Sequence, residues 1–270
     1  MLFKVVLTFF VSVSFIFGAN YDELLQNKNI KIGVSPNMPP FSKSTSNGFA
    51  GFEIEFAKAL TSKVFPNGMN ITFIGIEQSD RLNAVKNKEV DILIAAYTIN
   101  DERAEQIDFS APYFSIILSL VSKKSSNIKS KTDLMGKTIA TIKNSNSDDW
   151  LKKNGINIVY CKNNMECYQK VKNDEAIGFM HNIVSTATIP LIDNNFEISI
   201  KFSDLAYMDC VATQKDSSKL LEKINSAIVE LSKEGFFKKN YNDTFATFYK
   251  GMLDQKYFIL DDLYSILFNI

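Results

Sequence analysis

Histidine occurs once and cysteine three times in these 270 residues, and the 30 basic side chains are matched by 30 acidic ones. A single imidazole leaves little scope for histidine-based acid–base chemistry. So few nitrogen and sulfur donors leave little for a zinc-type metal site, and no metal or cofactor is expected. A formal net charge of zero argues against nucleic acid, which is usually met by a basic surface. The Gly-x-Gly-x-x-Gly loop, the P-loop, His-Glu-x-x-His and Gly-x-Ser-x-Gly are all missing. After the first twenty residues no apolar run is long enough to span a bilayer.

What is there suits a packed protein. Hydrophobic residues make up 46% and charged residues 22%, which excludes wholesale disorder. The length fits one large domain or two lobes. Lys4, the apolar and Ser/Thr run Val5–Phe17 and the small residues Gly18-Ala19 have the layout of a secretory signal peptide. Residues 1–19 are therefore expected to be removed on export. No cysteine lies near the cleavage site, so a lipid anchor is not supported. Cys161 and Cys167 are spaced for a small-loop disulfide in an oxidising compartment, or for two unpaired core thiols; Cys210 is left over in either case.

The hydrophobic pattern alternates between strand and helix periods. Strands are expected over Ile30–Ser35, Asn70–Ile76, Val90–Tyr97, Phe114–Val121, Lys137–Ile142, Ile156–Tyr160, Ala176–Met180 and Ala206–Gln214. Helices are expected over Phe52–Phe65, Asp80–Lys86, Ser147–Lys153, Met165–Lys172 and Ser217–Ser232, with a turn-rich loop from Pro36 to Gly51. This alternation predicts an α/β fold with mostly parallel sheets. Glu53 and Glu55, at a helix start, read as partners of the helix dipole rather than as an acid–base pair.

One constellation carries chemistry. The apolar run from Val90 ends in Ala95-Ala96-Tyr97-Thr98, and a short turn opens a helix bearing Arg103. Strand-end backbone groups, a hydroxyl and a guanidinium converge there, and a guanidinium grips a carboxylate at two points. Ligands of open α/β sheets sit outside the carboxyl ends of the strands. A surface helix with Arg103 paired to Asp101 or Glu102 fits the same residues, and the residues alone leave the two open.

The order of motifs resembles the bacterial extracellular solute-binding proteins of the polar amino-acid uptake class. It runs Ile30-Lys31-Ile32-Gly33-Val34-Ser35, Pro39-Pro40-Phe41, Gly51-Phe52-Glu53, Arg81-Leu82-Asn83, Thr98 to Arg103, Asp108-Phe109-Ser110-Ala111-Pro112-Tyr113 and Asp133-Leu134-Met135-Gly136-Lys137, ending near Lys223 to Gly235. The resemblance implies a two-lobed type II periplasmic binding-protein fold with the ligand cleft between the lobes. Lobe one would take residues 20–114 and, on return, 207–245; lobe two 115–206; a helical extension 246–270. It further implies a non-catalytic, monomeric periplasmic protein that hands a small carboxylate-bearing solute to an ABC transporter permease. Arg103 would clamp the carboxylate, with Thr98, Ala96 and Tyr97 beside it and Ser145 and Asn146 of the loop Asn144–Ser147 facing them.

Departures from the pattern qualify the ligand. Met180 stands where a lobe-two carboxylate usually receives the ligand's amino group, with His181 next to it, and Met38 replaces an aromatic platform. Ser35 stands where cation-binding members carry an acid, which disfavours Lys or Arg as ligand. Tyr97 and Phe41 could add ring surface, and Phe41 fits the core equally well. Met38, Met180 and His181 join the expected site. Two other readings keep this scaffold: a cyclohexadienyl dehydratase-like enzyme, which needs a placed acid in the cleft, and a ligand sensor that docks on a membrane receptor. Tyr257–Ile270 reads as an amphipathic helix with an apolar face near residues 259, 263, 266, 267 and 270, expected to pack back on lobe one.

Overall fold

A computed structural model of the chain describes residues 21–143 and 145–268. The expected signal peptide, Asn144 and the last two residues lie outside them. In chain order the elements are α1 (Tyr21–Asn27), β1 (Asn29–Val34), β2 (Asn37–Met38), β3 (Ser42–Thr45), β4 (Gly48–Ala50), α2 (Phe52–Val64), β5 (Asn70–Gly75), α3 (Arg81–Lys86), β6 (Ile92–Leu93), α4 (Asp101–Ala104) and β7 (Ile107–Lys123). There follow β8 (Thr138–Ile142), α5 (Asn146–Lys153), β9 (Asn157–Cys161), α6 (Asn164–Lys172), β10 (Gly178–Asn182), α7 (Ile183–Thr186), α8 (Thr188–Ile192), β11 (Phe196–Gln214), α9 (Ser218–Lys233), α10 (Phe236–Tyr241) and α11 (Asp261–Phe268). No helix of the described residues is long and apolar enough to cross a membrane.

Eight strands form one mixed sheet in the order β5-β1-β6-β11-β7-β10-β8-β9. The outer strands pair in parallel, β1 with β5 and β6, and β8 with β9 and β10. The two long central strands, β7 and β11, are antiparallel and run through both halves. Their ladder shifts register between Phe202 and Ala206, opposite Leu118 and Ile117. A shift of this kind bends and twists a strand pair. Hydrophobic clusters lie on each side of both halves, with Ile32, Phe56 and Phe114 in one half and Leu120, Ile139 and Phe179 in the other.

Several expectations change. The Val90–Tyr97 run was expected to be one strand, but only Ile92 and Leu93 join the ladder. Ala96 takes a left-handed conformation (φ 44°) and turns the chain away. Both central strands are longer than their apolar cores suggested, and β2, β3 and β4 form a small second sheet within the expected loop. Gly51, at φ 136°, closes that sheet onto α2, and a Cβ there would lie 2.4 Å from the Phe41 carbonyl oxygen. Cys161 and Cys167 form a disulfide, and Cys210 is a buried thiol whose pKa burial pushes up to about 12.

The tail helix starts at Asp261 and turns a different face inward. Phe258, Leu260 and Tyr264 are buried in the first-half core, whereas Leu263, Ile266 and Leu267 are exposed. The Tyr264 hydroxyl donates to the Pro112 carbonyl at 2.6 Å.

Candidate ligand-binding cleft

A cavity of about 240 Å³ opens between the two halves of the sheet. This is just below the roughly 300–1,000 Å³ that holds drug-sized ligands, a size for a small solute. Its first-half wall is built by chain segments leaving strand ends: Ser35 after β1, Met38 in β2, Arg81 at the head of α3, Ala96-Tyr97-Thr98 after β6, and Arg103 on α4. The second-half wall comes from Ser145, Asn146 and Ser147 at the start of α5, and from His181, Asn182 and Ser185 around the end of β10. Tyr207 and Asp209 of β11 form part of the floor.

Of the expected site residues, Arg103, Thr98, Ala96, Tyr97, Ser145, Asn146, Met38 and His181 all line this cavity. Met180 does not. Strand alternation turns its side chain into the second-half core, fully buried, and only its carbonyl accepts a bond, from Thr141 Oγ1. The lining residues at that strand end are His181 and Asn182.

Arg103 is held rather than free-swinging. Its Nη1 donates to the Thr98 carbonyl at 2.7 Å and to Thr98 Oγ1 at 3.1 Å, and its guanidinium carbon lies 4.4 Å from the centre of the Tyr97 ring. The pairing with Asp101 or Glu102 does not form, and among the described residues no acid makes an ion pair with Arg103. Asn100 caps α4 by accepting from the Arg103 backbone N–H at 2.9 Å, which fixes the helix that carries Arg103. One face of the guanidinium is therefore stacked and one nitrogen is satisfied, and the residue lines the cavity.

Behind it lies a second, buried charge cluster. The 30 basic residues include just two arginines, Arg81 and Arg103, and both line the cleft. Arg81 is 5% exposed and donates to Ser35 Oγ at 2.9 Å. Burial lowers its pKa, while the carboxylates of Glu53 and Asp209 oppose that shift. Glu53 lies in the first turn of α2, as the helix-dipole reading expects, but it is also fully buried, and its Oε1 accepts from the Ala96 N–H and the Tyr113 hydroxyl, each at 2.5 Å. Its carboxyl is pushed up by burial and drawn back by those two bonds and by Arg81. The Ala96 turn that ends β6 early is thus pinned by Glu53, and it leaves the backbone of the 96–98 segment facing the cavity.

The cleft also holds an acid that sequence reasoning missed. Asp209 is 1% exposed, and neither carboxylate oxygen has a hydrogen-bond partner. Burial, then the charge of Glu53, holds it well above the usual carboxylate range, with Arg81 and Arg103 pulling the other way. His181 likewise has no partner for either ring nitrogen. Burial lowers its pKa to about 4, so the ring is neutral near pH 7. Arginine scarcity was the available signal for Arg81; Asp209, between Met208 and Cys210, carries none. No cluster of three or more His, Cys, Asp or Glu suited to a metal occurs among the described residues.

The family model of bacterial extracellular solute-binding proteins, family 3, matches residues 30–247. The chain is 29% identical to the L-cystine-binding protein of Escherichia coli (strain K12) over 79% of its own length and 83% of that protein's. It is 28% identical to an arginine-binding extracellular protein of Bacillus subtilis (strain 168), over 78% and 84%. Among solved structures it is similar to a cysteine-binding protein from Campylobacter jejuni, with a TM-score of 0.75 and 27% identity over 88% of this chain and 98% of that one.

Proposed function

The chain belongs to the bacterial extracellular solute-binding proteins, family 3, and from that premise we propose that it captures a small amino acid by its α-carboxylate and delivers it to an ABC transporter permease. The observation that carries this reading is Arg103: a guanidinium stacked on Tyr97, anchored by Thr98, with no acid paired to it and a cavity in front of it. Ser145 and Ser147, at the start of α5, face it from across the cleft and suit the same anion. Lobe one then takes residues 20–114 and 207–245, lobe two 115–206, and the ligand is enclosed when they close about β7 and β11.

The reading favours a neutral or sulfur-bearing amino acid over arginine. Ser35 accepts from Arg81, so a fixed cation already occupies that wall and would repel a second one. Relatives that bind cystine and cysteine fit this better than the arginine-binding relative. The Cys161–Cys167 disulfide suits an oxidising compartment, in line with a periplasmic location and a cleaved leader at residues 1–19. The protein acts as a monomer in this reading.

A thermal-shift screen of the twenty L-amino acids and L-cystine, followed by calorimetry, tests it. A stabilising amino acid whose binding is lost in Arg103→Ala is the expected result; no stabiliser, or unchanged affinity in that variant, overturns it. A dehydratase needs a placed acid in the cleft, and Asp209 is a carboxyl group placed there. Assay of prephenate and arogenate turnover separates this second reading, and no turnover is expected.

A further inference from the structure

Among the residues lining the cleft, the carboxylates are Glu77, exposed at the rim, and Asp209, buried in the floor. Asp209 lies directly opposite Thr98 in an isolated antiparallel bridge, flanked by bonds from the Ile99 N–H to the Met208 carbonyl (3.2 Å) and from the Cys210 N–H to the Tyr97 carbonyl (3.1 Å). Directly opposed residues project to one face with Cβ atoms about 4.5–5.5 Å apart. Asp209 therefore sits beside the hydroxyl that holds Arg103. An α-amino acid carries its carboxylate and its ammonium on one carbon, so a carboxylate gripped by Arg103 brings the ammonium to this neighbouring position.

We propose that Asp209 is the acceptor for the ligand's ammonium group, in place of the lobe-two carboxylate that the chain lacks; this rests on Arg103 being the carboxylate clamp. Two features support it. Both oxygens of Asp209 are unpartnered although the residue is 1% exposed, and a buried carboxylate without partners is costly unless something arrives to meet it. Glu53 is no substitute, because one of its oxygens already accepts from Ala96 and Tyr113 and it does not line the cavity. The charges also balance. With all four groups ionised, Arg81 and Arg103 offset Glu53 and Asp209; an arriving ammonium favours the charged form of Asp209 that burial opposes, so a zwitterion completes a neutral set whereas a simple carboxylate leaves one negative charge uncompensated.

The test compares an amino acid with its des-amino analogue, for example L-cysteine with 3-mercaptopropionate or L-glutamine with glutaramate, taking the tightest binder from the screen. Wild type should prefer the amino acid by at least about 30-fold. In Asp209→Asn the amino acid should weaken by that factor while the analogue holds or gains, so the preference collapses. A purely structural role for Asp209 would shift both compounds together and leave the ratio intact, and a retained ratio overturns the proposal. If Asp209→Asn does not fold, Asp209→Ser is read in the same way. Arg103→Ala should lose both compounds. If it loses neither, the clamp reading falls first and this proposal with it.

Discussion

At the residue scale the two arginines, Arg81 and Arg103, stand out. Both arginines among the 30 basic residues line one cleft, and a planar guanidinium can grip a carboxylate at two points where a lysine ammonium cannot. Arg103→Ala should weaken ligand binding by about 2–5 kcal/mol, the usual cost of removing one partner of a buried charged pair. The fold should survive, since among the described residues the Arg103 side chain hydrogen-bonds to Thr98 and stacks on Tyr97 without entering an ion pair. Arg103→Lys should recover only part, because one ammonium cannot hold both carboxylate oxygens. His181 gives a pH signature. Its folded pKa of about 4 lies below the ordinary 6.5, so the unfolded chain binds a proton that the folded one refuses. The stability at issue is complete above about pH 6.5 and is lost as pH falls towards 4. His181 is only partly buried as a residue, which makes about 3 kcal/mol an upper bound. Denaturant melts from pH 4 to 7 should show that slope in wild type and a shallower one in His181→Gln. Ligand affinity between pH 5 and 8 should follow the same profile in both, since the ring is neutral throughout; a difference between the profiles would mean that its charge reads the ligand.

At the scale of elements, the tail is where the pattern misled. Residues 259, 263, 266 and 267 look like one apolar face, but Phe258 and Tyr264 do the anchoring. The Ser115 N–H donates to the Phe258 carbonyl at 2.8 Å and the Ser115 hydroxyl to the Tyr257 carbonyl at 2.6 Å, so the segment before α11 is tied directly to β7. Phe258→Ala should cost about 3–5 kcal/mol, because the ring packs on Phe114, Tyr241 and Phe245 with no solvent to refill the space. Calorimetric melting should fall by roughly 6–20 °C at about 2–4 °C per kcal/mol, and a drop under 2 °C would show the tail to be dispensable. Elsewhere the pattern served well: α2, α5, α6 and α9 lie within a residue or two of their expected bounds because each couples an apolar stripe to a clear end. Most of the cleft wall could be read in the same way, from Thr98 and Arg103 at a strand end. Asp209 and the Met180–His181 register could not. Both depend on which face of a strand points into a space that exists only after the two halves meet. The early end of β6 is equally non-local, since it is the buried Glu53, 43 residues away, that claims the Ala96 N–H.

At the scale of the molecule, the two halves are bound more closely than two strands alone would make them. The largest hydrophobic cluster joins Ile183, Val184 and Ala187, at and just beyond α7, to Phe114, Phe245, Tyr249 and Phe258. The Tyr249 hydroxyl also donates to the Val184 carbonyl at 2.7 Å. Because this first-half core also takes in α7 of the second half, the chain should unfold in a single transition, with fluorescence and circular dichroism giving coincident midpoints. Ligand should then raise the whole transition rather than split it. At about 100 times its dissociation constant it adds roughly 2.7 kcal/mol, or about 5–11 °C for a chain of this size. On the proposed reading the ligand would bridge Arg103 on one wall and Ser145 and Ser147 on the other, and so would stabilise the closed arrangement preferentially. Solution scattering should accordingly record a smaller radius of gyration with ligand in wild type and no change in Arg103→Ala. Two separate melting transitions, only one of them moved by ligand, would mean that the shared core around Phe258 does not couple the halves and that the cleft is stabilised from one side alone.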